Sequence, residues 1–261
     1  MTTTRARPAP RLSDQQLLDL MALVKGADSV ELKLTVPTEA HRATIDGLGL
    51  DPVEAQARQV FFFDTPDLAL DKAGVVVRAR RIAGGKADTV VKLRPVDPPT
   101  LPPELRKNPS FNVEVDVLPG GFVCSGSFKG RSTNDEVRDA VRGDRPLRKI
   151  FSKDQRAFFA QHAPEGLSLD ALVPLGPTFI LKAVITPTEL GRRFVAEVWL
   201  YPDGTRILEL STKCQPGEAF QVAGEARAFL VARGVTLGGA QQTKTRTALQ
   251  YFKTQLATTG G

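Results

Sequence analysis

Ionic side chains recur at every second position along several segments of this 261-residue chain. Ser29, Glu31 and Lys33 alternate with Val30, Leu32 and Leu34, while Arg78 and Arg80 flank Ala79. Val90, Lys92 and Arg94 alternate with Val91 and Leu93, and Asn112, Glu114 and Asp116 alternate with Val113 and Val115. Glu209, Ser211 and Lys213 alternate in the same way with Leu210 and Thr212. On an extended strand, residues two apart share a face, so each segment presents one ionic and one apolar side. A half-buried sheet ordinarily turns such charges to water, and periodicity does not say which face is inside. Carboxylates and cations nevertheless dominate these positions, where a solvated face would mix in Thr, Ser, Gln and Asn. Turned into a closed sheet, the cations would repel one another by ~4 kcal/mol per pair about 4 Å apart at an effective dielectric of 20. A bound polyanion or interleaved carboxylates would relieve that repulsion, so the chemistry indicated is anion binding, with Glu and Asp offering hard oxygens to a divalent cation.

Other chemistries lack their usual residues. Cys124 and Cys214 stand far apart with no CxxC companion, which fits neither a disulfide framework nor a zinc site. His41 and His162 have no neighbouring His, Cys or HExxH frame, so zinc hydrolysis and Ser-His-Asp catalysis are unsupported. The formal charge is +6, with acids interspersed among bases in the central segments. Aromatic residues make up only 7% of the chain and do not interleave with the basic positions, which argues against nucleic-acid binding. The longest apolar runs, such as Phe61-Phe62-Phe63, are too short to cross a bilayer, and Met1 to Pro8 leads into no apolar segment. The expectation is a cytoplasmic protein without a membrane partner.

The elements that would position these side chains can be outlined. Ser13 and Gln16 form a capping box ahead of Leu17, Leu20, Met21 and Val24, which predicts a leading helix ending near Gly26. Strands are predicted at 29–36, 59–63, 75–82, 89–93, 111–117, 147–159, 178–185, 192–201 and 205–213, with Pro202-Asp203-Gly204 as a hairpin turn. A helix is expected within 38–57, a short polar one at 134–141, and amphipathic ones at 218–233 and 243–256. The prolines between 95 and 109 suggest a long surface loop. Residues 1–12 read as a disordered tail and 13–257 as a single domain. Strands outnumber helices and look antiparallel, so the expectation is an α+β, mainly antiparallel protein with a closed or nearly closed sheet and helices packed outside it.

Two motifs in order resemble the CYTH proteins, also called triphosphate tunnel metalloenzymes. Ser29-Val30-Glu31-Leu32-Lys33 is similar to the family's opening Glu-x-Glu-x-Lys strand. Phe63-Asp64-Thr65-Pro66-Asp67, leading to Val77-Arg78-Ala79-Arg80, is similar to its FDTPD turn and Leu-Arg-x-Arg strand. The resemblance spans roughly residues 28–250. It implies an eight-stranded antiparallel barrel enclosing a tunnel, with triphosphate held on Lys and Arg and Mg²⁺ or Mn²⁺ held on Glu. Phosphate-binding groups are implied at Lys33, Arg78, Arg80, Lys92, Arg156 and Lys182, with Lys244 or Arg246 as the C-terminal basic residue. Metal ligands are implied at Glu31 and Glu209, helped by Glu114, Asp116 or Glu197, and Glu114 or a neighbouring carboxylate is placed to orient an attacking water. Two departures thin the acidic set: Ser29 and Ser211 stand where the family has carboxylates.

The activity implied is metal-dependent hydrolysis of inorganic triphosphate or of a nucleoside or thiamine triphosphate. Adenylyl cyclase activity of the class IV type is a second expectation. The serine replacements motivate a third, a non-catalytic module that binds polyphosphate or nucleotide. The partner expected is a triphosphate or polyphosphate small molecule. Paired chains occur in the family, so a homodimer is one assembly to expect, although no residue identifies an interface.

Overall fold

A computed structural model describes residues 12–237 and 244–259. Of the expected tail, only Leu12 is among the described residues, and it packs part-buried against the core. The elements in chain order are α1 (Asp14–Gly26), β1 (Ser29–Val36), α2 (His41–Gly47), β2 (Gln56–Asp64), α3 (Ala69–Lys72), β3 (Val75–Ile82), β4 (Ala87–Leu93) and α4 (Pro103–Lys107). There follow β5 (Phe111–Leu118), β6 (Gly121–Ser132), α5 (Asn134–Arg142), α6 (Lys153–His162), β7 (Val173–Ile185), β8 (Phe194–Leu200), β9 (Arg206–Cys214), α7 (Ala219–Ala232) and α8 (Lys244–Thr259).

The strands close into a barrel in the order β1-β5-β6-β4-β3-β2-β7-β8-β9. The described sheet thus has nine strands where eight were expected, and it is mixed, because β1 pairs with β5 in parallel. The other neighbours are antiparallel, including β9 against β1, which seals the ring. Closure satisfies the backbone groups that an open edge would leave unpaired.

Two expectations are corrected. Residues 147–159 do not form a strand: a 3₁₀ turn at Leu147–Ile150 leads into α6, and Ser152 with Gln155 makes a reciprocal capping box that starts the helix. The helix expected within 38–57 is present only as the short α2, which ends at Gly47 just ahead of Gly49 at φ 62°, and β2 begins at Gln56. Strand β6 went unrecognised in the sequence because glycine and serine blur its alternation. Packing explains that composition: a Cβ at Gly126 would lie 2.7 Å from the Phe111 ring, and one at Gly130 would lie 2.5 Å from Gln155 Oε1.

The apolar core lies outside the ring. Val30, Val77, Val91, Val113 and Val115 pack under α1 and α6, in a cluster with Leu20, Phe158 and Phe159. Phe194, Leu208 and Leu210 pack against Ala226, Phe229 and Leu230 of α7. Helix α8 stands differently. Its Ala248, Leu249 and Phe252 cluster with Val60, Phe62, Ile180, Trp199 and Ile207. Val60 and Phe62 are the cross-strand partners of Arg80 and Arg78 and share their face, so α8 caps one end of the barrel over its inner wall.

Candidate active site

Strand register brings the ionic faces together inside the ring. Glu31 is opposite both Asp116 on β5 and Lys213 on β9, and Lys33 is opposite Ser211. Arg78 is opposite Val90, Lys92 is opposite Ser127, and Lys182 and Glu209 both flank Glu197. Most of these side chains line a partly open cavity of about 280 Å³. Its wall carries nine cations, Lys33, Arg78, Arg80, Lys92, Arg94, Lys129, Lys182, Lys213 and Lys244, against five carboxylates, Glu31, Glu114, Asp116, Glu197 and Glu209. Turning these charges inward is what makes the apolar face available to the outer helices.

The carboxylates fall into two groups. Glu31, Glu114 and Asp116 each offer an oxygen within 4.8 Å of the others. Lys33 Nζ lies 2.9 Å from Asp116 Oδ1 and 3.2 Å from Glu31 Oε2, while Lys213 pairs with Glu114 and Arg94 with Asp116. Ser29 Oγ donates to Glu114 Oε2 at 3.3 Å, so the serine standing where the resemblance led us to expect a carboxylate supports one on the neighbouring strand. Glu197 and Glu209 form the second group, bridged by Lys244 Nζ at 2.9 and 2.6 Å. The ammonium of Lys244 also lies 4.8 Å from the centre of the Trp199 ring.

These environments set the charge states. Burial opposes ionisation of Asp116, but Lys33, Lys92 and Arg94 overcome it and hold the carboxyl at about 2. Burial likewise opposes the charge on Lys33, yet Asp116, Glu31 and Glu209 raise it well above the ordinary lysine value. Glu197 is held far below the usual carboxylate range, because Lys244 and Lys182 outweigh its desolvation. Lys92 and Arg78 behave oppositely. Burial lowers Lys92 to about 8, with Arg94 and Lys33 adding repulsion, and lowers Arg78 to about 10, with Arg80 adding to it. Neither has a carboxylate within ion-pair distance among the described residues, and Arg78 Nε is buried without a hydrogen bond. Arg80, by contrast, is clamped on Asp88, with Nη2–Oδ2 at 2.6 Å and Nε–Oδ1 at 2.9 Å.

The residues singled out from the sequence therefore divide. Lys33, Arg78, Arg80, Lys92, Lys182, Lys244, Glu31, Glu114, Asp116, Glu197 and Glu209 line one cavity. Arg156 does not join them: it sits exposed on α6, outside the sheet, where its guanidinium donates to Phe151 O at 3.1 Å. Its placement followed from reading 147–159 as a strand. Of the two C-terminal basic residues Lys244 reaches the cavity, whereas Arg246 is exposed on α8. The sequence reading missed Lys129 with the rest of β6, and it placed Arg94 and Lys213 on ionic faces without giving them a role. The histidines bond to backbone oxygens, His41 at Val36 O and His162 at Phe158 O, as structural side chains do.

Fold and site together define a closed β-barrel with a cation-rich interior. No family model matches the chain, and no curated protein does. Among solved structures, the chain is similar to an adenylyl cyclase candidate from Hippeastrum described as having a dominant triphosphatase activity, at 18% identity and a TM-score of 0.64, covering 84% of this chain and 93% of that one. It is also similar to a candidate adenylate cyclase from Bacillus halodurans, at 13% identity and a TM-score of 0.57, covering 84% of this chain and 98% of that one. At these identities the likeness is one of fold, a closed barrel of the kind that the motifs at Ser29–Lys33 and Phe63–Arg80 led us to expect.

Proposed function

We propose that the barrel binds a triphosphate group within its cavity and hydrolyses its terminal phosphoanhydride with the help of a divalent cation. The observation that carries this reading is the surplus of cations over carboxylates around one cavity, with Arg78 and Lys92 having no carboxylate within ion-pair distance among the described residues and both lowered by burial. Buried cations of this kind call for an external anion of high charge. Arg78, Lys92, Lys182 and Lys129 would hold phosphate oxygens, and Arg80, oriented by Asp88, would present its remaining N–H groups. The candidate cyclases of the same fold, one with a dominant triphosphatase activity, support a triphosphate-bearing ligand.

The donor set of Glu31, Glu114 and Asp116 fits Mg²⁺ or Mn²⁺, which take hard oxygen ligands and share them with substrate phosphates. When bound, such an ion would add positive charge to the phosphate oxygens. Of the two roles anticipated for Glu114, its position in this trio favours that of a ligand over that of orienting the water. Glu197 and Glu209, the other metal ligands anticipated, are better explained as anchors for Lys244. Phosphoryl transfer depends mainly on positioning and charge stabilisation, so no nucleophilic side chain is needed.

A second reading, binding without turnover, is favoured by Ser29 and Ser211 and by the lysines already seated on the acidic trio. The deciding experiment is phosphate release from inorganic triphosphate with Mg²⁺ or Mn²⁺, beside tripolyphosphate binding by calorimetry. Release that is lost in Glu31→Ala supports hydrolysis. Tight binding without release under any divalent ion establishes the binder, and cyclic AMP formed from ATP would make the protein a cyclase.

A further inference from the structure

We propose that Lys213 is a built-in counter-cation of the Glu31, Glu114 and Asp116 trio, which competes with a divalent ion for these carboxylates and so sets how much metal the cavity needs. The idea rests on the reading of that trio as a metal site and adds a residue that tunes it.

Backbone register places the lysine. Glu31 and Lys213 are direct partners across the β1–β9 pair, so both side chains must enter the cavity side by side. The ammonium pairs with Glu114 and lies 3.9 Å from Glu31 Oε2, within ion-pair reach of two of the three carboxylates. Lys33 occupies the other side of the trio, on Asp116 and Glu31. The two lysines differ in freedom. The Lys33 side chain is 16% exposed and enclosed, whereas that of Lys213 is 51% exposed and has solvent to swing into. Lys213 is therefore the displaceable one.

The neighbouring positions tend the same way. Ser29, opposite Glu114, and Ser211, opposite Lys33, are uncharged and add no carboxylate to the ring around the trio. With Lys213 beside them, three carboxylates are matched by Lys33, Lys213 and Arg94. A divalent ion entering this group must either push the Lys213 ammonium aside or bear its repulsion at close range. The same ammonium, once freed from Glu114, is available to a phosphate oxygen.

The test is titration of the protein with Mn²⁺ alone, followed by electron paramagnetic resonance of free Mn²⁺, for wild type and for Lys213→Met and Lys213→Gln. Both uncharged variants should bind Mn²⁺ roughly tenfold more tightly or better, and Lys213→Arg should stay near wild type. Glu114→Gln in the Lys213→Met background should abolish the gain. An unchanged Mn²⁺ dissociation constant in both uncharged variants would overturn the proposal, as would absence of Mn²⁺ binding in every form. Tripolyphosphate titrated in EDTA separates this from the proposed function: loss of anion binding in wild type would sink that reading, while the Mn²⁺ comparison still decides the role of Lys213.

Discussion

Lys33 Nζ stands 2.9 Å from Asp116 Oδ1 across the parallel seam between β1 and β5. That contact joins residues 83 positions apart in the chain, brought together by the pairing of β1 with β5, and it holds both groups charged in a buried setting. Around it the cavity wall is uneven. Some cations are matched by carboxylates, and others wait for an anion. The predictions below follow from that difference.

Arg78 and Arg80 should separate in their effects. Arg78 has no carboxylate within ion-pair distance among the described residues and its Nε is buried without a hydrogen bond, whereas Arg80 is clamped by Asp88. Arg78→Met should weaken tripolyphosphate binding by roughly 30-fold to 100-fold, in line with about 2 to 3 kcal/mol for bonds to charged groups. The same change should leave the melting temperature of the free protein unchanged or higher, because it removes a desolvated charge. Arg80→Met should lower stability, since it leaves Asp88 without its clamp. Calorimetry and thermal melting on both variants check the contrast.

Lys92 should make anion binding pH-dependent. Its folded value of about 8 lies below its ordinary 10.5, so between these limits the unfolded chain carries the extra proton. The cost of burying its charge is thus fully present below about 8 and fades as pH rises toward 10.5, with stability increasing from this group. A bound anion favours the charged form, so tripolyphosphate affinity should fall as pH rises above about 8, with proton uptake on binding. Lys92→Met should flatten that profile in calorimetric titrations run in buffers of different ionisation heat.

The Lys244 latch should hold α8 over the end of the barrel. Lys244→Ala leaves Glu197 and Glu209 facing each other across β8 and β9, and should cost about 3 kcal/mol of stability. Glu197 is depressed in the folded state, so its contribution is present above the ordinary value of 4.5 and is lost as pH falls below it. Wild type should therefore lose stability in acid more steeply than Lys244→Ala. Urea unfolding between pH 3 and about 7, followed by Trp199 fluorescence, measures the difference.

Gln155 provides a control away from the cavity. Its amide donates to Thr89 O at 3.1 Å and Phe128 O at 3.2 Å, and its oxygen accepts from Thr89 Oγ1 and Ser152 N. Gln155→Leu should cost about 2 to 3 kcal/mol by leaving buried groups unsatisfied. Anion affinity at a temperature where the variant is folded should not change.

Much of the site was legible before any coordinates. Alternation at Glu31 and Lys33, Arg78 and Arg80, and Glu114 and Asp116 determined which side chains share a face, because a strand's period of two is a local property. The capping box of Ser13 and Gln16 likewise marked α1, where it is observed. Local signals also misled. The apolar residues of 147–159 hid a capped helix and carried Arg156 into the anticipated site, and the small residues of β6 concealed a strand together with Lys129.

What the sequence could not decide was direction and company. A strand with one ionic and one apolar face is the same pattern whether its charges meet water or each other, and only closure of nine strands, with helices on the apolar side, turned them inward. Register across β9, β1 and β5 then set Lys213 and Lys33 on the Glu31, Glu114 and Asp116 trio, while α8 delivered Lys244 rather than Arg246 to Glu197 and Glu209. Pairings between residues so distant along the chain depend on loop closure and packing summed over the whole fold, and no local period encodes them.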